Sequence, residues 1–105
     1  MVDTTWRPHE THGKLTPGKE AGLPDTAFAF PKARALPLTD EGRVRSAIEE
    51  FRDVEDVTDE DRELAFANIR RAAGFYRVQM TETDWRQLGS RHVEPGYKRA
   101  ESTEL

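Results

Sequence analysis

The stretch Thr58-Asp59-Glu60-Asp61-Arg62-Glu63-Leu64-Ala65-Phe66-Ala67-Asn68-Ile69-Arg70-Arg71-Ala72-Ala73-Gly74 decides the fold class. Its first four residues put a hydroxyl at a cap position and a carboxylate three residues on, an Asp form of the capping box. Ala65, Phe66, Ile69, Ala72 and Ala73 then recur at helical spacing. Arg70 and Arg71 fall in the last turns, where cations suit the helix dipole, and Gly74 offers the left-handed conformation that ends a helix. The spacing predicts a helix over 59–73.

On the N-terminal side, Val44, Ala47, Ile48 and Phe51 fall at i, i+3, i+4 and i+7, one apolar stripe. Thr39 can cap this helix, and Asp40 and Glu41 sit in its first turn, so it is placed at 40–52. On the C-terminal side, Thr81-Glu82-Thr83-Asp84 repeats the cap pattern ahead of Trp85 and Leu88, and Gly89 closes a short helix over 82–88. Leu23–Pro31, bounded by prolines, and Phe75–Met80 are extended; Phe28 and Phe30 share one face, and Tyr76, Val78 and Met80 another. The two stretches could pair as a two-strand ribbon. The simpler reading, and the preferred one, is that each crosses the helical core and packs its aromatic groups there. The expected class is mostly α: a small three-helix domain with an extended N-terminal aromatic segment, a short two-strand ribbon as an open alternative, and flexible termini. Its expected core is Phe28, Phe30, Val44, Ala47, Ile48, Phe51, Ala65, Ile69, Phe75, Val78, Trp85 and Leu88.

Composition sets the boundaries of that domain. The chain has 105 residues, 35 % hydrophobic and 34 % charged, with a formal net charge of −4. In residues 1–22 only Met1, Val2, Trp6, Leu15 and Ala21 are hydrophobic, without a period, and residues 90–105 are similar. Such segments bury too little apolar surface to offset an ordering entropy of roughly 1–2 kcal/mol per residue. They are read as a disordered arm (1–22) and a disordered tail (90–105) flanking a helical domain at 23–89. Each flank carries three basic and three acidic residues, so the net −4 lies wholly within 23–89. With no cysteine, disulfides, thiolate metal sites and cysteine nucleophiles are excluded. No apolar run is long enough to cross a membrane, and Met1–Glu10 lacks the blocks of a signal peptide, which together point to a cytoplasmic protein.

Leu23–Pro31, then Pro37-Leu38-Thr39-Asp40, then Val44–Phe51 resemble a family of small uncharacterised bacterial domains. Its pattern is F-A-[FL]-P, a short basic link, P-[IL]-x-D, a position often held by His, and a helix containing A-[IL]-x-[RE]-[FV]. The second helix and Phe75–Leu88 also look like that family, so the resemblance covers about 23–89. Related domains occur alone and inside phage structural or head-maturation proteins. What the resemblance implies is a domain with no assigned activity and no catalytic residue to carry over. The chain departs from the pattern at Arg43, where many relatives carry His, so no role of that His transfers.

Other signals are weaker than their bland readings. Glu49–Glu63 holds nine acids, but a calcium loop from Asp53 would need Gly and Glu where Thr58 and Leu64 stand. A solvated helix connection, or a basic partner surface, fits the run better. His9 and His12 have a chelating spacing only on a helix, and none is signalled there, so no metal or cofactor site is expected. Ser46, Ser90 and Ser102 lie in no nucleophile motif, so no catalytic residue is expected. Ser102-Thr103-Glu104-Leu105 matches a generic ligand of carboxylate-binding domains, a pattern that chance supplies often. Lys32, Arg34, Arg70, Arg71 and Arg77, with Tyr76 to stack a base, are the candidate nucleic-acid residues. Helix-dipole compensation and solubility explain Arg70 and Arg71 equally well. The expectation is a non-enzymatic protein-interaction or structural accessory domain with a protein partner of unknown identity, phage-related if the resemblance carries that far. A nucleic-acid-binding accessory protein is the alternative, and an enzyme the remote third.

Overall fold

The computed structural model describes residues 3–11 and 13–89 of the chain. Three α-helices, α1 (Pro17–Ala21), α2 (Glu41–Glu50) and α3 (Asp59–Tyr76), enclose a two-strand antiparallel ribbon, β1 (Phe28–Phe30) and β2 (Ala35–Pro37). Phe28 pairs with Pro37 and Phe30 with Ala35. α3 begins as its sequence requires: Thr58 Oγ1 accepts from Asp61 N at 3.0 Å, and Asp61 Oδ2 accepts from Thr58 N at 3.1 Å. The stripe of α2 (Val44, Ala47, Ile48) packs with Phe51 against Ala65, Ile69, Ala72 and Ala73 of α3, and β1 inserts Ala29 and Phe30 into the same core. All three residues of β1 are buried, because the ribbon is covered on both sides. Phe28 lies on the α1 side, where the Arg34 guanidinium sits 4.7 Å from its ring centroid.

Residues 3–11 run along the domain as a packed strap, which corrects the expectation of a disordered arm over 1–22. Trp6 is 2 % exposed and belongs to the core. Its indole N–H donates to Leu38 O at 3.0 Å. Arg7 N donates to Thr26 O and Thr11 N to Thr39 O. A second feature missing from the expectation is α1, although its start carries a plain signal: Thr16 caps Lys19 N, and Pro17 opens the first turn. The expected tail, 90–105, lies outside the described residues.

Four further expectations change. The ribbon pairs Phe28–Phe30 with Ala35–Pro37, not with Phe75–Met80, since a short turn closes the pairing locally at little loop entropy. α3 runs through Gly74 to Tyr76 and ends at Arg77, which takes the left-handed conformation (φ 63°). This places Phe75 on the surface instead of in the core. The residues expected as a helix over 82–88 form only a 3-10 turn at Trp85–Gln87, capped by Asp84 and leaving Trp85 half-buried. At α2 the cap is Asp40, whose Oδ1 accepts from Arg43 N at 2.8 Å, while Thr39 is buried. Gly89, expected to close the helix over 82–88, instead follows the 3-10 turn with φ +88°, and its N–H donates to Ile48 O at 2.9 Å.

Candidate functional site

Two polar side chains bind the strap to the helices. Asn68, fully buried on α3, accepts at Oδ1 from Thr5 N (2.9 Å) and Trp6 N (3.0 Å). Its Nδ2 donates to Thr5 Oγ1 (3.0 Å) and Ala29 O (2.9 Å), so one side chain joins strap, helix and ribbon with every valence filled. Arg43 reaches from the first turn of α2 to Thr11 O (2.8 Å), Asp40 Oδ2 (2.9 Å), Thr39 Oγ1 (3.3 Å) and Gly13 O. Both groups are consumed by folding and leave no donor aimed at a ligand.

Of the sequence-predicted nucleic-acid residues, Lys32 and Arg34 stand apart from the rest. Arg34 takes a left-handed backbone (φ 53°), and its guanidinium bonds Asp25 and the carbonyls of Glu20, Ala21 and Leu23. It closes the C-terminal end of α1 and is occupied. Lys32, in the turn of the ribbon, is exposed and lies 3.8 Å from Asp61 Oδ1. Arg70, Arg71 and Arg77 do gather at the C-terminal end of α3, all exposed. None has a carboxylate in ion-pair distance among the described residues; Arg70 stacks over Phe66, 5.9 Å from the ring centroid. Tyr76, the expected stacking group, is half-buried against Trp6 (6.0 Å between centroids). Its hydroxyl is buried without a hydrogen-bond partner. Burial, reinforced by Glu10 and Asp40, raises its pKa above the ordinary tyrosine value. The ring that reaches solvent is its neighbour Phe75. It is 53 % exposed, the large hydrophobic residue standing out from the surface, and it rests edge-on against Trp6 (5.7 Å) and Tyr76 (4.9 Å). Extending the Ala65, Ile69, Ala72 period past Gly74 would have found this, since it selects Tyr76 for the interior and Phe75 for the surface.

At the opposite end of α3, the turn of the ribbon and the connection after α2 leave an open cleft of about 250 Å³. Phe30, Pro31, Val57 and Leu64 make it apolar, and Asp25, Lys32 and Asp61 stand at its margin. Asp61 is held below the ordinary carboxylate pKa of 3.8, first by the Thr58 backbone N–H and further by Lys32 and Arg62. A second, larger hollow of about 380 Å³ lies between Phe51, Arg52, Arg62, Trp85 and Arg86. The Arg62 and Arg86 guanidiniums lie over the Trp85 ring at 5.4 and 4.3 Å. Those cations are already engaged: Arg62 with Asp59, Arg86 with Asp84, and Arg52 with Arg86 O. His9 meets Thr26 Oγ1 at 3.2 Å, and His12 and His92 lie outside the described residues. Among the described residues no group of three or more His, Cys, Asp or Glu could hold a metal ion, and no helix is long and apolar enough to cross a membrane.

These features define a small, mostly helical domain with a strapped ribbon, shallow surface hollows and, among the described residues, a solvent-facing Phe75 ring near arginines without a carboxylate partner. The profile of a family of unknown function (DUF6582) matches residues 11–83, and the chain belongs to that family. No curated protein and no solved structure matches it.

Proposed function

We propose that the domain is a non-enzymatic interaction module whose contact face is the C-terminal end of α3. The observation that carries this reading is Phe75, 53 % exposed at the end of an otherwise well-packed helix. Burying a Phe side chain is worth about 1.5–3 kcal/mol. The fold forgoes much of that gain at position 75, while a partner that covers the ring recovers it. Gly74 beside it is exposed, and a Cβ there would meet nothing within 4 Å, so packing does not call for glycine at this site. The resemblance to domains inside phage structural proteins suits a part that holds other proteins together.

The test places a photo-crosslinking phenylalanine analogue at Phe75 and, as a control, at exposed Lys19 on α1 in the source cells. A discrete protein adduct from position 75 alone is expected. Equal labelling from both positions would count against the face, as would a Phe75→Ser chain that no longer folds. A second reading, a nucleic-acid accessory protein, draws on the same arginines: Arg70, Arg71 and Arg77 carry unpaired charge beside an open aromatic ring. It expects a labelled single strand to shift at low salt. Arg71→Gln and Arg77→Gln should then each reduce the salt slope by roughly one unit, because each leaves one phosphate without its cation.

A further inference from the structure

We infer that the partner of the Phe75 face is a second copy of this chain, with Phe75 of each copy seated in the cleft formed by Phe30, Val57 and Leu64 of the other. The inference rests on the interaction reading above and names its occupant. The cleft holds about 250 Å³. That is below the roughly 300–1,000 Å³ of small-molecule sites, and it is open to solvent and apolar at its floor, a shape for a side chain rather than a metabolite. Phe75 is the exposed side chain of matching chemistry.

Charge supports the same pairing. The knob is flanked by Arg71, one helical turn before it, and by Arg77. The cleft lies in the acid-rich half of the molecule. Glu55 and Asp56 precede Val57, and Glu60 stands one turn from Leu64; all three are exposed and without an ion pair among the described residues. Lys32 at the margin, 88 % exposed and 3.8 Å from Asp61 Oδ1, offsets part of this charge. A knob flanked by two cations therefore meets a hollow with unpaired acids next to its lining residues.

Geometry sets the symmetry. Leu64 and Phe75 are eleven residues apart on α3. At 3.6 residues per turn that separation brings them within about 20° of the same helix face and about 16 Å apart along the axis. Knob and cleft thus sit at opposite ends of one side, too far apart to meet within a chain. Two copies with antiparallel α3 helices satisfy both contacts at once about a two-fold axis, the commonest symmetry of soluble pairs.

Sedimentation equilibrium from micromolar to millimolar chain, with circular dichroism to confirm folding, tests this. Wild type should form a reversible dimer, weakened by salt and not growing further. Phe75→Ser removes the knob, and Ala33→Arg, at an exposed position of the cleft wall, blocks the hollow. Each alone should be monomeric, with the dissociation constant raised more than about tenfold, as for an interface anchor. Mixed together, the two variants should recover a 1:1 pair through the one intact contact. Arg71→Glu, which keeps the ring, should also weaken the dimer. A wild type that stays monomeric at millimolar concentration, or a mixture that forms no pair, overturns the inference. If Phe75→Ser is stable in that case, the interaction reading stands with a different partner. If Phe75→Ser unfolds, that reading fails too. A monomeric wild type that binds a labelled single strand through Phe75 gives the face to nucleic acid and also overturns the inference.

Discussion

The seam between α2 and α3 and the strap at residues 3–11 are held by different physics. Along the seam, Val44, Ala47, Ile48 and Phe51 meet Ala65, Ile69, Ala72 and Ala73, small contributions repeated every three or four residues. The strap places one side chain in the core, Trp6, and otherwise hangs on scattered hydrogen bonds: those of the Asn68 and Arg43 side chains, and the backbone bonds of Arg7 N to Thr26 O and Thr11 N to Thr39 O. A repeated contact spreads its energy, so removing one member leaves the rest in place. A strap fixed at a few points concentrates its energy at them, and a segment poor in apolar residues becomes an essential part of the core.

The sharpest way to break this comparison is at the strap. Trp6→Ala should cost about 3–5 kcal/mol, as for a large aromatic removed from a packed core. Asn68→Ala strands the Thr5 and Trp6 N–H groups and the Ala29 carbonyl, at about 1–3 kcal/mol for each left buried, and should cost a similar total. Urea denaturation reads both; a loss below about 1 kcal/mol for both variants would return the strap to the status of a loose arm. Arg43→Gln should cost less, about 1–2 kcal/mol, because its carbonyl partners at Thr11 and Gly13 sit nearer to solvent. It should also raise the amide exchange of Thr11 without changing that of Ile69.

Gly74→Ala tests the helix side. The new methyl group meets nothing within 4 Å. The substitution should therefore stabilise the chain by about 0.5–1 kcal/mol through helix propensity, seen as a higher melting temperature. The smallest effect belongs to Asp61. Its folded pKa lies below 3.8, so its contribution is fully present above that value and is lost as pH falls through the folded pKa. Asp61→Asn should cost about 0.5 kcal/mol at neutral pH, the scale of an exposed helix-end charge, and little in strong acid. Unfolding curves at the two pH values would separate the variant from wild type only at the higher one.

The seam was legible because α-helical packing writes itself as a period. The Thr58 capping box was legible because its two members are three residues apart. The strap was not, because Asn68 meets Thr5 across 63 positions, and nothing local marks one asparagine in an alanine-rich helix as a staple. Gly74 misled in the opposite direction. It carries the usual stop signal, but Tyr76 keeps the helical period against Trp6, and that packing outweighs about 1 kcal/mol of glycine cost. The candidate site was legible in part. Arg70, Arg71 and Arg77 are exposed towards the C-terminal end of α3, while the solvent-facing ring moved from Tyr76 to Phe75 with that one extra turn of helix.

The four bonds of Asn68 also order events in time. Its Oδ1 can receive Thr5 N and Trp6 N only after α3 has formed, and its Nδ2 reaches Ala29 O only after the ribbon has docked on that helix. The loop that this contact closes spans most of the chain, so its entropy is met late, when the rest already holds together. On this ground the strap should be the last piece to settle and the first to lift, and the amides of Thr5 and Trp6 should exchange with solvent together, at a free energy below that of the α2–α3 seam, which native-state hydrogen exchange would read.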